Sequence, residues 1–118
     1  MYGVPADLNL DFLRGAELIQ VCLGQHQAQL HFYPTGTITI EGGWELNDAT
    51  GNRIDGKCDD PDRPPYQLHR LLGYRVIETA VFAPRSISLS FEKGLVLRVF
   101  DDSTEYESIS IEPCGVFI

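Results

Sequence analysis

The chain of 118 residues reads as an all-β protein. Antiparallel strands with one or two single-turn helices are expected, as two β-meander units in a pseudo-twofold duplication. Three observations predict this. Apolar residues alternate without exception in Ser86-Ile87-Ser88-Leu89-Ser90-Phe91, and they do so again in Ala28-Gln29-Leu30-His31-Phe32-Tyr33 and Thr37-Ile38-Thr39-Ile40-Glu41. That is the period of a strand with one core face and one wet face. Glycine and proline turns separate these runs at hairpin distances. Finally, the pattern recurs. Leu13-Arg14-Gly15, Leu18-Ile19 and Val21-Cys22-Leu23 match Leu71-Leu72-Gly73, Val76-Ile77 and Thr79-Ala80-Val81 at an offset of 58. Ala28, Leu30, Phe32, Ile38 and Ile40 match Ile87, Leu89, Phe91, Leu97 and Val99 at an offset of 59. The expected layout is a single domain over 1–118, with repeat units 12–41 and 70–100 and a linker at 55–65. Six to nine strands are expected, in a strongly bent sheet, a sandwich or a half-open barrel.

The elements follow in order. Asp7 to Leu13 fits a single helical turn. Leu18 to Leu23 is apolar on both parities, as is Leu95 to Phe100, so both are expected to be central or covered on both faces. Pro34-Thr35-Gly36 and Lys93-Gly94 close hairpins, where glycine can take positive φ. Ala49-Thr50-Gly51-Asn52 turns Trp44-Glu45-Leu46 back toward Ile54. The stretch DGKCDDPDRPP, 55–65, holds three prolines and reads as a polar loop. Pro65 opens a short helix to Leu71 that Gly73 ends. Ile19, Val21, Leu30, Phe32, Ile38, Ile40, Ile77, Leu89, Phe91, Leu97 and Val99 are expected in the core. The Gln29/His31 and Ser86/Ser88/Ser90 faces are expected to be wet.

Composition narrows the function. The net charge is −8, and clustered Lys and Arg that could displace counterions from nucleic acid are missing. No apolar run reaches the length of a membrane helix. The start, MYGVPADLNL, has neither the basic nor the apolar part of a secretory signal. Three cysteines, Cys22, Cys58 and Cys114, make no disulfide framework and fit a reduced cytoplasmic protein, with Cys22 read as a small buried hydrophobe. The charge is uneven: −5 over 1–52, +2 over 53–98 and −5 over 99–118.

The densest polar segment runs from Asp101 to Ser108. Asp102 and Glu105 have capping-box spacing. Beside that local role, Asp101, Asp102, Glu105 and Glu107 form a candidate surface for a basic partner, with Tyr106 as an aromatic anchor of the kind interfaces favour. Asp59-Asp60-Pro61-Asp62 lacks the ligand spacing of a calcium loop and reads as solvated linker. His26, His31 and His69 are scattered, so no metal site and no cofactor is expected. Walker A, G-x-S-x-G, G-x-G-x-x-G and H-E-x-x-H motifs are not found. Trp44 is expected in the core.

Over Gly15 to Gly24, Gln29 to Phe32, Ile38 to Gly42 and Asp102 to Ser108, the chain resembles a bacterial family of small β-rich proteins of unknown function. The resemblance runs from about Tyr2 to Ile111. It implies one β-rich domain and a bacterial cytoplasmic origin, and it brings no functional residues. In size and acidity the chain is also similar to immunity proteins. The expected function is a non-catalytic protein-binding module. Its partner is expected to be a protein, basic in the immunity-like case, and neither nucleic acid nor membrane. A homodimer with paired exposed strands, a small-ligand β-barrel and an enzyme without a recognisable motif are the alternatives.

Overall fold

A computed structural model describes residues 4, 7–24, 27–57, 62, 65–101, 109–112 and 116–117. Strands β1 (Glu17–Leu23), β2 (Ala28–Tyr33), β3 (Thr37–Ile40), β4 (Trp44–Asn47) and β5 (Arg53–Gly56) precede β6 (Val76–Phe82), β7 (Ser86–Phe91), β8 (Val96–Phe100), β9 (Ile109–Glu112) and β10 (Val116–Phe117). They form two antiparallel five-stranded sheets, ordered β1-β2-β3-β9-β10 and β5-β4-β8-β7-β6. The sheets do not close into a barrel. The ten strands among the described residues exceed the six to nine expected, and the two-residue β10 is too short for any pattern to show. The helical segments are shorter than expected: 3₁₀ turns at Asp11–Leu13 and Leu68–Leu71, and a third at Glu92–Gly94 in the β7–β8 turn.

Adding five to each strand number, and subtracting ten where the result passes ten, converts the first sheet's order into the second's read from β6 to β5. Each meander therefore keeps its own three strands together and sends its following hairpin to the other sheet. β4-β5 pairs with β8 through Leu46 opposite Leu97, and β9-β10 pairs with β3 through Ile111 opposite Ile38.

The two meanders meet where β1 and β6 begin. Glu17 and Arg75 form an antiparallel bridge. Around it, the Gly15 amide donates to the Val76 carbonyl at 2.7 Å and the Gly73 amide to the Leu18 carbonyl at 2.8 Å. The Val76 amide donates to Ala16 at 2.9 Å, and the Leu18 amide to Tyr74 at 3.0 Å. Each bond is the counterpart of another at the offset of 58, so the local pseudo-dyad passes through the Glu17–Arg75 pair. Gly15 and Gly73 have φ of 83° and 85°, left-handed conformations that glycine reaches without steric cost.

One apolar cluster draws on the inner faces of both sheets, with Leu13, Leu68 and Leu71 from the 3₁₀ turns. Leu30, Phe32, Ile38, Ile40, Leu89, Phe91, Leu97 and Val99 are buried there as expected, and so is Trp44. Ile19 and Ile77 are not: they are 52% and 53% exposed. The cause is a β-bulge in each edge strand. Pairing jumps from Leu18–Phe32 to Gln20–His31, and from Val76–Phe91 to Glu78–Ser90. The inserted residue has no partner and shifts the parity of the strand. Val21, opposite the buried Leu30, packs against the core but is only half-buried, and so is Cys22. The expectation that Leu18 to Leu23 is central also fails, since β1 is an edge strand. Its apolar residues fall on both parities because Leu18 before the bulge and Val21 after it both face the core, while Ile19 is exposed. β8, by contrast, is interior, between β4 and β7.

Candidate binding surface

Of the acidic segment singled out above, Asp101 is described; Asp102, Glu105, Tyr106 and Glu107 lie outside the described residues. Asp101 follows β8, and its amide donates to the Arg85 carbonyl at 2.7 Å. The residue is half-buried, and both carboxylate oxygens are inaccessible and without a hydrogen-bond partner. Asp101 is thus not the exposed charge that the sequence pattern implies. It follows β8 on the parity of Leu97 and Val99, the strand's buried positions.

The outer face of the second sheet is also drier than expected. Ser86 and Ser88 are buried, at 5% and 7% exposure. Ser88 is flanked in register by Ala80 on β6 and Arg98 on β8. The Arg98 guanidinium sits over the Phe82 ring, 5.3 Å from its centroid, so the Arg98 side chain crosses from β8 toward β6 over the small serines. This is the behaviour of a long side chain laid along its stem, and the ring face attracts its charge. Arg98 Nε is buried without a hydrogen-bond partner. On the first sheet, Gln29 and His31 remain half-buried, and Thr37 Oγ1 and His31 Nδ1 lie 3.3 Å apart.

The turn chemistry engages several charges in local hydrogen bonds. The Asp48 carboxylate accepts from the Thr50 hydroxyl at 2.6 Å and from the amides of Thr50 and Asn52 at 2.9 and 3.0 Å. The Thr50 hydroxyl is the main reason its carboxyl lies below the ordinary carboxylate value, with the amides of Asn52, Thr50 and Gly51 adding to it. Asp55 accepts from the Gly56 amide at 2.9 Å and from the Gln67 amide, which ties β5 to the segment ahead of the second 3₁₀ turn.

Several basic side chains donate to main-chain carbonyls: Lys57 to Glu41 at 2.9 Å, and Arg53 to Asp55 and Arg75 to Gly15, each at 3.4 Å. A shallow cleft lies beside Lys57, lined by Leu23, Ile40, Trp44 and Tyr66, and measures about 280 Å³ counted out to its open mouth. Trp44 and Tyr66 meet edge to face there, with centroids 5.1 Å apart. Among the described residues, no group of three or more His, Cys, Asp or Glu side chains is placed to hold a metal ion, and no helix is long and apolar enough to cross a membrane. In comparisons with family models, curated proteins and solved structures, nothing matches the chain.

Proposed function

We propose that the protein is a non-catalytic protein-binding module of the bacterial cytoplasm, immunity-like in character. It meets a basic partner protein through its acidic C-terminal segment, 101–107. The observation that carries this reading is the distribution of charge. Seventeen acids are set against nine bases, and five of those acids fall within 99–118, which holds no base. Several of the bases are engaged elsewhere, on main-chain carbonyls or, for Arg98, on the Phe82 ring. A net negative field of this kind raises the encounter rate with a cationic surface, within a Debye length of about 8 Å at physiological salt. Asp101 stands at the root of the segment with its carboxylate shielded. Asp102, Glu105 and Glu107 therefore carry the steering role in this reading, and Tyr106 supplies apolar contact.

The test is kinetic. Proteins retained from a bacterial lysate by the immobilised chain are identified and purified, and their association rates are measured by stopped flow. Glu105→Lys combined with Glu107→Lys should slow association by about tenfold or more at low salt, with a smaller effect at high salt. Equal rates for the two proteins, with the fold intact by circular dichroism, would remove the acidic segment from the interface.

A further inference from the structure

The geometry points to the free edge of β1 as an interface between two copies of this chain, formed by antiparallel pairing about Val21. The proposal is independent of the acidic segment. It starts from where the large exposed apolar side chains lie. Of the six such side chains among the described residues, Tyr33 ends β2 and Leu72 follows the second 3₁₀ turn, while Ile19 and Leu23 on β1 are 52% and 50% exposed and Ile77 and Phe82 on β6 are 53% and 50% exposed. These last four belong to the outermost strands of their sheets. An edge strand presents unpaired amides and carbonyls that another strand can complete.

The two edges differ in how well they fit a copy of themselves. On β1, Leu18 is already bonded to Gly73 and Tyr74. Among the described residues, nothing pairs with the free edge beyond it. The open window is Ile19–Leu23, centred on Val21. A second copy laid antiparallel over that window brings Ile19 opposite Leu23 of the copy, Gln20 opposite Cys22, and Val21 opposite Val21. From Gln20 to Cys22, beyond the bulge residue Ile19, opposite residues then share parity, so inner faces stay with inner faces and the twofold axis runs perpendicular to the sheet. From Leu18 to Leu23 no acidic or basic residue occurs, and like charges are never placed across the seam.

On β6, Val76 is bonded to Gly15 and Ala16, which leaves Ile77–Phe82 open. Its regular part, beyond the bulge residue Ile77, is Glu78–Phe82. A copy laid over it about Ala80 places Glu78 inside the seam twice. β6 is therefore the poorer self-complement, although its apolar exposure is equal.

A single pair of five-residue strands covers less than the ~1,200 Å² of a stable interface, so the dimer should be weak. Two copies of charge −8 repel, so association should tighten as salt is added. Sedimentation equilibrium of the full chain is the test. The weight-average mass should rise from 13.2 kDa toward twice that value as concentration passes through the Kd. Ile19→Lys with Leu23→Lys should hold the protein at the monomer mass, while Ile77→Lys with Phe82→Lys should still dimerise. In a chain with Cys58→Ser and Cys114→Ser, adding Gln20→Cys should give a disulfide-linked dimer with oxidised glutathione as the oxidant. Further replacement of Cys22→Ser should abolish it. A protein that stays monomeric at every concentration overturns the proposal. So does a mass increase that survives Ile19→Lys with Leu23→Lys.

Discussion

Phe32 and Phe91 stack on each other at the centre of the protein, with ring centroids 6.4 Å apart and planes inclined by 21°. They are counterparts at the offset of 59, the last inner-face residues of β2 and β7. Their amides make corresponding turn-closing bonds, Phe32 to the Gly36 carbonyl at 2.8 Å and Phe91 to the Leu95 carbonyl at 2.7 Å. The pseudo-dyad thus brings one aromatic from each meander into contact in the core. Truncating either ring to alanine should cost about 3–5 kcal/mol, and because the rings touch, the double variant should depart from additivity by about 0.5–1.5 kcal/mol. Urea unfolding of the two single variants and the double variant measures this coupling. Strict additivity would mean that the stack contributes nothing beyond burial.

The turn glycines should respond unequally. Gly36 has φ of 119°, and a Cβ there would lie 2.8 Å from Leu13 Cδ2 and 3.2 Å from Phe12 Cε2. Gly15 has φ of 83°, yet a Cβ on it would meet nothing within 4 Å. Gly15→Ala should therefore cost only the left-handed backbone penalty, about 1–2 kcal/mol. Gly36→Ala should cost more, since Leu13 is fully buried and cannot move aside freely. Thermal unfolding of the two variants ranks them, and equal midpoints would contradict the packing around Gly36.

Much of this architecture was legible in the residues, and what was not has a definite cause. Strict alternation in Ser86–Phe91 and Ala28–Tyr33 places their inner faces correctly. Alternation cannot reveal a bulge, because one inserted residue at Ile19 or Ile77 reverses the parity on which the reading depends. Nor can it say which sheet a hairpin joins. The patterns of β4 and β9 are local, while their pairing with β8 and β3 is a long-range fact. The wet reading of Ser86 and Ser88 failed because the cover comes from Arg98 and Phe82, long side chains on the neighbouring strands. At the candidate surface, the acidic charge was readable from composition alone. The shielding of Asp101 was not, since it depends on the end of β8 being held to Arg85.

The inside–outside assignment of the edge strands gives a direct comparison. Ile19 and Ile77 are half in water, whereas Leu18 and Val76, one residue earlier, are buried at 0% and 1% exposure. Ile19→Ser and Ile77→Ser should shift stability by roughly 0.5 kcal/mol or less. Leu18→Ala should cost about 2–5 kcal/mol. If Ile19→Ser destabilised the protein as much as Leu18→Ala, the bulge would be in the wrong place.

Asp48 makes a small and signed contribution to acid stability. Its folded carboxyl lies below the ordinary value of 3.8, chiefly through the Thr50 hydroxyl. The ionised form is therefore the one the folded state prefers. The stabilisation is complete above the unfolded value near 3.8 and is lost as pH falls through the lower folded value. Asp48→Ala should lower the unfolding midpoint at pH 7, and the gap from wild type should narrow as pH falls below 3.8. A gap that stayed constant across that range would show that the turn is held by something other than the carboxylate.

The exchange of hairpins between sheets makes the sharpest demand on cooperativity. The first meander's sheet is completed by β9-β10, and the second's by β4-β5. Leu46, on β4, lies opposite Leu97, and Ile111, on β9, lies opposite Ile38; all four are fully buried. A perturbation in either hairpin is therefore felt by strands of the other half, and neither half can keep its sheet if the other opens. Leu46→Ala and Ile111→Ala should each cost about 2–5 kcal/mol and should each lower one shared transition, without splitting it. Differential scanning calorimetry checks this through the ratio of calorimetric to van't Hoff enthalpy, which should stay near one for the wild type and both variants. Hydrogen exchange should show the amides of β3 and β8 losing protection together, whichever hairpin carries the substitution. Two resolved transitions, or protection lost from one meander alone, would mean that the halves fold as separate units despite their exchanged strands.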